Sequence, residues 1–218
     1  MRLFAIFFLA VVLAGCVSPP LRPDTPARDF WAQPELDARI EVARFDRGLM
    51  AEAIFQETNG VRKKLGLPAF QKLPKLDAAA DLEAAVGRVY QPPSHTNPFP
   101  MIGSPSERVK YVGLNARQVA ENIALLSIYE IEATARVGVI VREGQRHFVH
   151  SETQAELQPA TYRGFARRVV QAWMDSPGHQ ANLVDPALKH LGCSVQPGVN
   201  IMGVDNLFCV QVFFTPSD

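Results

Sequence analysis

The chain has 218 residues, 47% of them hydrophobic, which is enough for one sizeable core. Lysines plus arginines equal aspartates plus glutamates at 22 each, so the net charge is zero. That balance points to no nucleic-acid partner and to no electrostatic membrane patch.

The N-terminus sets the compartment. Arg2 supplies a positive start, and Leu3 to Leu13 form an apolar run too short to span a bilayer as a mature helix. Leu13-Ala14-Gly15-Cys16 resembles a bacterial lipobox, in which a signal peptidase cuts before a cysteine whose thiol has been diacylated. Residues 1–15 are therefore read as a signal peptide and Cys16 as the lipidated residue, with the membrane as first partner. Acyl chains anchor firmly, at about 0.8 kcal/mol per buried methylene. Val17 follows the cysteine instead of Asp, so in a Gram-negative host the resemblance implies the outer membrane, on its periplasmic or surface side. Pro19, Pro20, Pro23, Pro26 and Pro34 make the next segment a stiff spacer. Residues 16–45 read as a tether, in which Phe30 and Trp31 are placed to pack back on a domain formed by residues 46–218.

From Phe45 a helix is expected, with Leu49, Ala53, Ile54 and Val61 on one face, closing near Leu65-Gly66. Asp77 is expected to cap a second helix, which Gln91-Pro92-Pro93 stops. Ser94 to Pro98 is a polar loop, and Ser106 to Tyr111 a short helix leading to Ala120-Glu121-Asn122-Ile123-Ala124. Arg136–Val141 and Arg146–His150 read as a hairpin turned by Glu143-Gly144. Thr161 to Met174 places Phe165, Val169, Val170 and Trp173 on one helical face. Ser176 then stands as N-cap and Pro177 at the first position of another helix, which puts His179 in its first turn. Two strands, Leu191 to Val195 and Leu207 to Phe214, finish the chain as antiparallel neighbours. They carry Cys193 and Cys209, and in an oxidising compartment a disulfide is the expected use. It would close a loop of about 15 residues, for about 3 kcal/mol. Helices interleaved with a small antiparallel sheet indicate an α+β or three-layer α-β-α sandwich.

Of five histidines, His147 and His150 lie three apart on a strand and so point to opposite faces. His190 precedes a strand with no evident partner. His95 sits in a loop after a helix stop, where functional residues concentrate. Glu121 is embedded among apolar neighbours, a costly place for a carboxylate unless it is paired or ligated. The positive end of the helix dipole favours a neutral, ligand-competent imidazole at His179. His95, Glu121 and His179 are the candidates for one convergent site, although spacing alone does not join them.

A resemblance does join them. Glu57-Thr58-Asn59-Gly60-Val61-Arg62 with Leu65-Gly66-Leu67-Pro68, then Ser94-His95-Thr96, Ala120 to Ala124, Ala172 to Leu183, and Gly192 with Val210 to Phe213 run in the order found in the CAP superfamily. That superfamily, also called the SCP domain, includes cysteine-rich secretory proteins, antigen 5 and plant pathogenesis-related proteins; the chain looks most like its bacterial branch. The resemblance implies an α-β-α sandwich with a cleft lined by His95, Glu121 and His179, and in some members the cleft binds a divalent metal such as zinc. The family's signature glycine is Ala120 here, and a second cleft glutamate of many eukaryotic members is replaced by Ser176. Residues 127–160, which include the hairpin, form a longer link than is usual in bacterial relatives and read either as a lid or as a surface decoration.

Three functions follow as alternatives. The first is an envelope lipoprotein binding a lipid, another apolar ligand or an envelope protein partner in the cleft. The second is a metal-dependent hydrolase in which zinc on His95 and His179 activates water and Glu121 serves as base or ligand. The third is a structural envelope protein with a vestigial cleft.

Overall fold

The structure, a computed structural model, describes residues 30–89, 92–131, 136–199 and 204–217. The expected signal peptide, Cys16 and most of the proline-rich tether lie outside the described residues.

The described chain enters at Phe30, passes through short 3-10 turns at Pro34–Asp37 and Val42–Arg44, and then forms helix α1, Arg47–Lys64. Asp46 caps α1 by accepting from the Leu49 amide at 2.9 Å. Gly66, at φ 69°, ends it in the left-handed conformation that a side chain disfavours. Strand β1 (Gln71–Lys72) and helix α2 (Pro74–Gly87) follow, then α3 (Pro105–Tyr111), β2 (Ala116–Ser127), β3 (Val137–Arg142) and β4 (Gln145–His150). Helices α4 (Tyr162–Met174) and α5 (Pro177–Val184) and strands β5 (His190–Pro197) and β6 (Asn206–Pro216) complete the chain.

The main sheet runs β1-β5-β6-β2, antiparallel except for the short β1–β5 pair. β6 is buried on both faces, and its alternation divides the core. Leu207, Cys209 and Phe213 join α1 and α4, whereas Phe208, Val210, Val212 and Phe214 join α2 and α3. The result is the expected three-layer α-β-α sandwich. Gly192 sets how closely one layer approaches: a Cβ there would overlap the backbone of Leu76 and Asp77 in α2.

Three expectations need correction. Phe30, Leu36 and Ile40 are 2%, 0% and 1% exposed within the larger core cluster, so Phe30 packs back as expected and the folded unit takes in residues 30–45 as well as those from 46 on. Asp77 does not cap α2; Pro74 takes the first helical position, which leaves the Asp77 carboxylate free to accept the Cys193 amide of β5 at 2.9 Å. Cys193 and Cys209 are free, buried thiols. Cys193 pairs with Gln211 and Cys209 with Val195, a diagonal offset of about 7–8 Å, too long for a disulfide.

The expected hairpin is present as β3 and β4 and, of its two readings as lid or surface decoration, it does not cover Glu121. It departs beyond Ser127, six residues and about 20 Å along β2 from Glu121. Phe148 packs on Tyr129 at 4.9 Å between ring centroids, and residues 155–157 return along β4.

Candidate functional site

β2 is an outer strand of the sheet, and its neighbours Glu121 and Asn122 point to opposite faces. Both are buried. One dipeptide therefore draws residues from both helical layers to the same strand edge.

On the α2–α3 face, Glu121 is held from two sides. Its Oε2 accepts from an Arg108 guanidinium nitrogen at 2.7 Å, and its Oε1 lies 3.0 Å from His95 Nδ1. A carboxylate only accepts, so Nδ1 carries the hydrogen and Nε2 is the outward nitrogen of a neutral His95. Arg108 is fully buried and also meets Glu83 Oε2 at 2.8 Å. The same guanidinium donates to the carbonyls of Ile102 and His95, at 2.9 and 3.3 Å, and so fixes the loop that carries the histidine. Asn97 adds bonds to Glu83 and to the Ile102 carbonyl, at 3.1 and 3.0 Å. A capping box between Ser104 and Glu107 starts α3 at the position that lets Arg108 point inward.

On the other face, the Trp173–Asn182 segment explains itself. Trp173 donates its indole N–H to the Ile123 carbonyl at 3.2 Å, and Asn182 donates to the Glu121 carbonyl at 3.3 Å. Those carbonyls lie on the strand edge that β6 does not use, so the two side chains satisfy it. Between them stands His179, in the first turn of α5 as expected, although the Ser176 hydroxyl makes no capping bond. Asn122 donates to the His179 carbonyl at 3.3 Å and accepts from Asn182 at 2.9 Å. Arg62 holds the far end of α5 through the carbonyls of Leu183 and Asp185, at 2.8 and 3.0 Å.

The structure thus brings all three expected residues together, with the His95 and His179 rings 6.5 Å apart. They are not equivalent. The hydrogen bond to Glu121 raises the pKa of His95 against the opposing effect of burial, and the charge of Glu83 adds to the rise. Burial lowers the pKa of His179, and the neighbouring His95 charge lowers it further. The site therefore sets an imidazole whose protonated form is favoured beside one whose neutral form is favoured.

This arrangement does not fit the expected zinc site. Both Glu121 oxygens are engaged, one of them by a fixed cation. Two imidazoles sharing a tetrahedral zinc at about 2.0–2.1 Å have centroids about 5 Å apart, closer than the 6.5 Å found. Among the described residues no group of three His, Cys, Asp or Glu side chains is set to hold a metal ion. His147 instead bonds Glu156 at 2.8 Å, away from these residues. Further up the same strand and helix, a cavity of about 450 Å³ is lined mostly by polar residues, Ser106, Lys110, Asn115, Arg117, Gln118 and Ser217, beside Val109, Leu114 and Val119.

Sequence reasoning missed Glu83 and Arg108. A signal for Glu83 was present: Leu76, Ala79, Ala80, Ala84 and Gly87 form the buried face of α2, and Glu83 stands among them at a core position. Arg108, in a helix of seven residues, had no such pattern around it.

A family model described as the cysteine-rich secretory protein family, CAP, matches residues 55–213. No curated protein matches the chain. Among solved structures, an extracellular protein containing an SCP domain from Bacillus anthracis is 20% identical with a TM-score of 0.49, over 78% of this chain and 41% of that one. An outer surface protein of Borrelia burgdorferi is 17% identical with a TM-score of 0.49, over 83% of this chain and 99% of that one. A cysteine-rich secretory protein of Staphylococcus aureus is 11% identical with a TM-score of 0.48, over 78% and 40%. This chain spans about two fifths of the Bacillus and Staphylococcus proteins. The family match covers most of the folded unit, including the strand edge where His95, Glu121 and His179 meet, and the chain belongs to the cysteine-rich secretory protein (CAP) family.

Proposed function

We propose that this chain is an extracytoplasmic, lipid-tethered binding module whose His95–His179 cleft holds a lipid, another apolar ligand or an envelope protein by a hydrogen-bond-accepting group. The observation that carries this reading is the double engagement of Glu121 by Arg108 and His95. A carboxylate so clamped orients His95 and favours its protonated form, whose exposed ring edge can donate outward. His179, held neutral beside it, supplies a second, uncharged hydrogen-bonding group. The cavity between α3 and β2 lies in the size range of small-molecule pockets, and its Lys110, Asn115, Arg117 and Gln118 would suit a polar portion of such a ligand. The tether reading rests on the lipobox-like Leu13 to Cys16 and the prolines behind it.

Native mass spectrometry of the protein purified from envelopes tests the binding module. A co-purified molecule retained by the wild type and lost in His95→Ala, with an unchanged circular dichroism spectrum, is the expected result. Stoichiometric zinc binding abolished by His95→Ala would instead restore the hydrolase reading. Retention of radiolabelled palmitate by the wild type but not by Cys16→Ser checks the tether.

A further inference from the structure

The cavity between α3 and β2 gathers donors that the fold does not use. Gly113, at φ 75°, turns the chain from the end of α3 into β2, so Lys110 and Arg117 line the same space of about 450 Å³. Among the described residues neither cation forms an ion pair, and the side chains of Ser106, Asn115 and Ser217 beside them make no hydrogen bond. A third cation stands next to the turn, where Lys75 Nζ donates to the Gly113 carbonyl at 3.4 Å.

Among the described residues no aspartate or glutamate lines the cavity. Glu107 and Asp185, the acids next to lining residues, are already engaged. Glu107, one turn before Lys110, is folded back onto Ser104, accepting from its amide and its hydroxyl at 2.8 Å each. Asp185 accepts from Gln118 and from the Ala187 amide, at 2.7 Å each. The last carbonyls of α3, on Arg108, Val109 and Lys110, accept the amides of Val112, Leu114 and Gly113, which offsets the negative end of the helix. Strand β6, which pairs with this end of β2, contributes no charge between Asn206 and Pro216. The cavity is thus a local positive site on a chain of zero net charge. It also adjoins the cleft, because Val119 in its wall shares a sheet face with Glu121, two residues and about 7 Å along β2.

We propose that this cavity takes a phosphate group between Lys110 and Arg117. An arginine fork and a lysine point charge both suit phosphate oxygens. Two unpaired cations match the charge of about −2 on a phosphate monoester better than the single charge of a carboxylate. The group comes from free phosphate or from the headgroup of an amphiphile whose other end reaches His95. Only the second source rests on the binding-module reading.

Both apolar clusters lie within residues 30–214, so the chain from Val17 keeps the whole core. It is titrated with inorganic phosphate and with hexyl phosphate at constant ionic strength. Saturable shifts of the Lys110 amide and of the amides of residues 114–119 are expected in NMR spectra. Lys110→Gln and Arg117→Gln should each weaken binding about fivefold. Both side chains are exposed, and an unchanged urea midpoint verifies that each variant folds. His95→Ala should leave inorganic phosphate bound, which keeps this test apart from the co-purification test of the cleft. Tighter binding of hexyl phosphate assigns the site to a headgroup and equal binding assigns it to free phosphate; either result supports the site. Shifts that do not saturate, or that ignore both Lys110→Gln and Arg117→Gln, overturn the proposal. Asp218 follows Ser217, so a chain ending at Ser217 is titrated as well. Phosphate binding that appears only after Asp218 is removed would also overturn the proposal and give the two cations to the chain's own acid.

Discussion

Two buried carboxylates meet the main sheet where strand pairing runs out, and they are treated differently. At the β2 edge, Glu121 is compensated by the buried Arg108 and connects to solvent through His95. Beyond Lys72, where β1 no longer pairs with β5, Asp77 of α2 accepts the Cys193 amide, yet its second oxygen has no hydrogen-bond partner, and no cation bonds it directly. Burial pushes the Asp77 carboxyl up to about 6, with the Lys72 charge pulling the other way. A charge with a partner and an outlet can serve recognition. A charge with neither stands in for a missing strand partner, at a cost that depends on pH.

The largest test of this contrast is Arg108→Met. It leaves Glu83 and Glu121 buried without their cation and should cost about 3–5 kcal/mol in urea unfolding. A near-neutral result would mean that Arg108 does not compensate the pair.

Next in size is Asp77→Asn. Between pH 4 and 6 the folded wild type holds a proton at Asp77 that the unfolded chain has released. That contribution is complete below about pH 4 and lost as pH rises through about 6, amounting to about 3 kcal/mol. The difference in unfolding free energy between wild type and Asp77→Asn should therefore move in favour of the variant from pH 4 to 7.5. A constant difference would sink the idea.

The smallest effect belongs to the open site. In Glu121→Gln, His95 loses the charged acceptor that raises its pKa, so its ring-proton titration should shift downward in NMR spectra. In the wild type the His95 contribution is complete below about pH 6.5 and is lost as pH rises through the raised value. With the ring about half exposed, this is worth less than about 1 kcal/mol in stability. An unmoved His95 titration would show that Glu121 does not hold its proton.

Local signals in the sequence were reliable where short-range physics decides the outcome. The helical faces at 165–173, the hairpin turn at Glu143-Gly144 and the Ser176-Pro177 start of α5 all depend on neighbours a few residues apart. Pairing across the fold was less legible. The Cys193–Cys209 expectation failed on a register offset of two residues, which spacing along the chain does not encode. Asp77 has the composition of a cap, but Pro74 had already taken the helix start, and only the approach of β5 shows what the carboxylate does. His95, Glu121 and His179 were joined by family resemblance; Arg108, which holds two of them, needed the folded chain.

The unpaired thiols carry one further consequence. Cys193 and Cys209 are both buried, and burial raises the pKa of each well above that of a free thiol. Little thiolate is present in the native state, and the strands that carry the thiols form the centre of the sheet. An alkylating reagent can reach them only when that centre opens, so their rate of modification is a clock for global unfolding. With no disulfide between them, the same chain can be folded in a reducing cytosol, and dithiothreitol should leave its unfolding midpoint where it was.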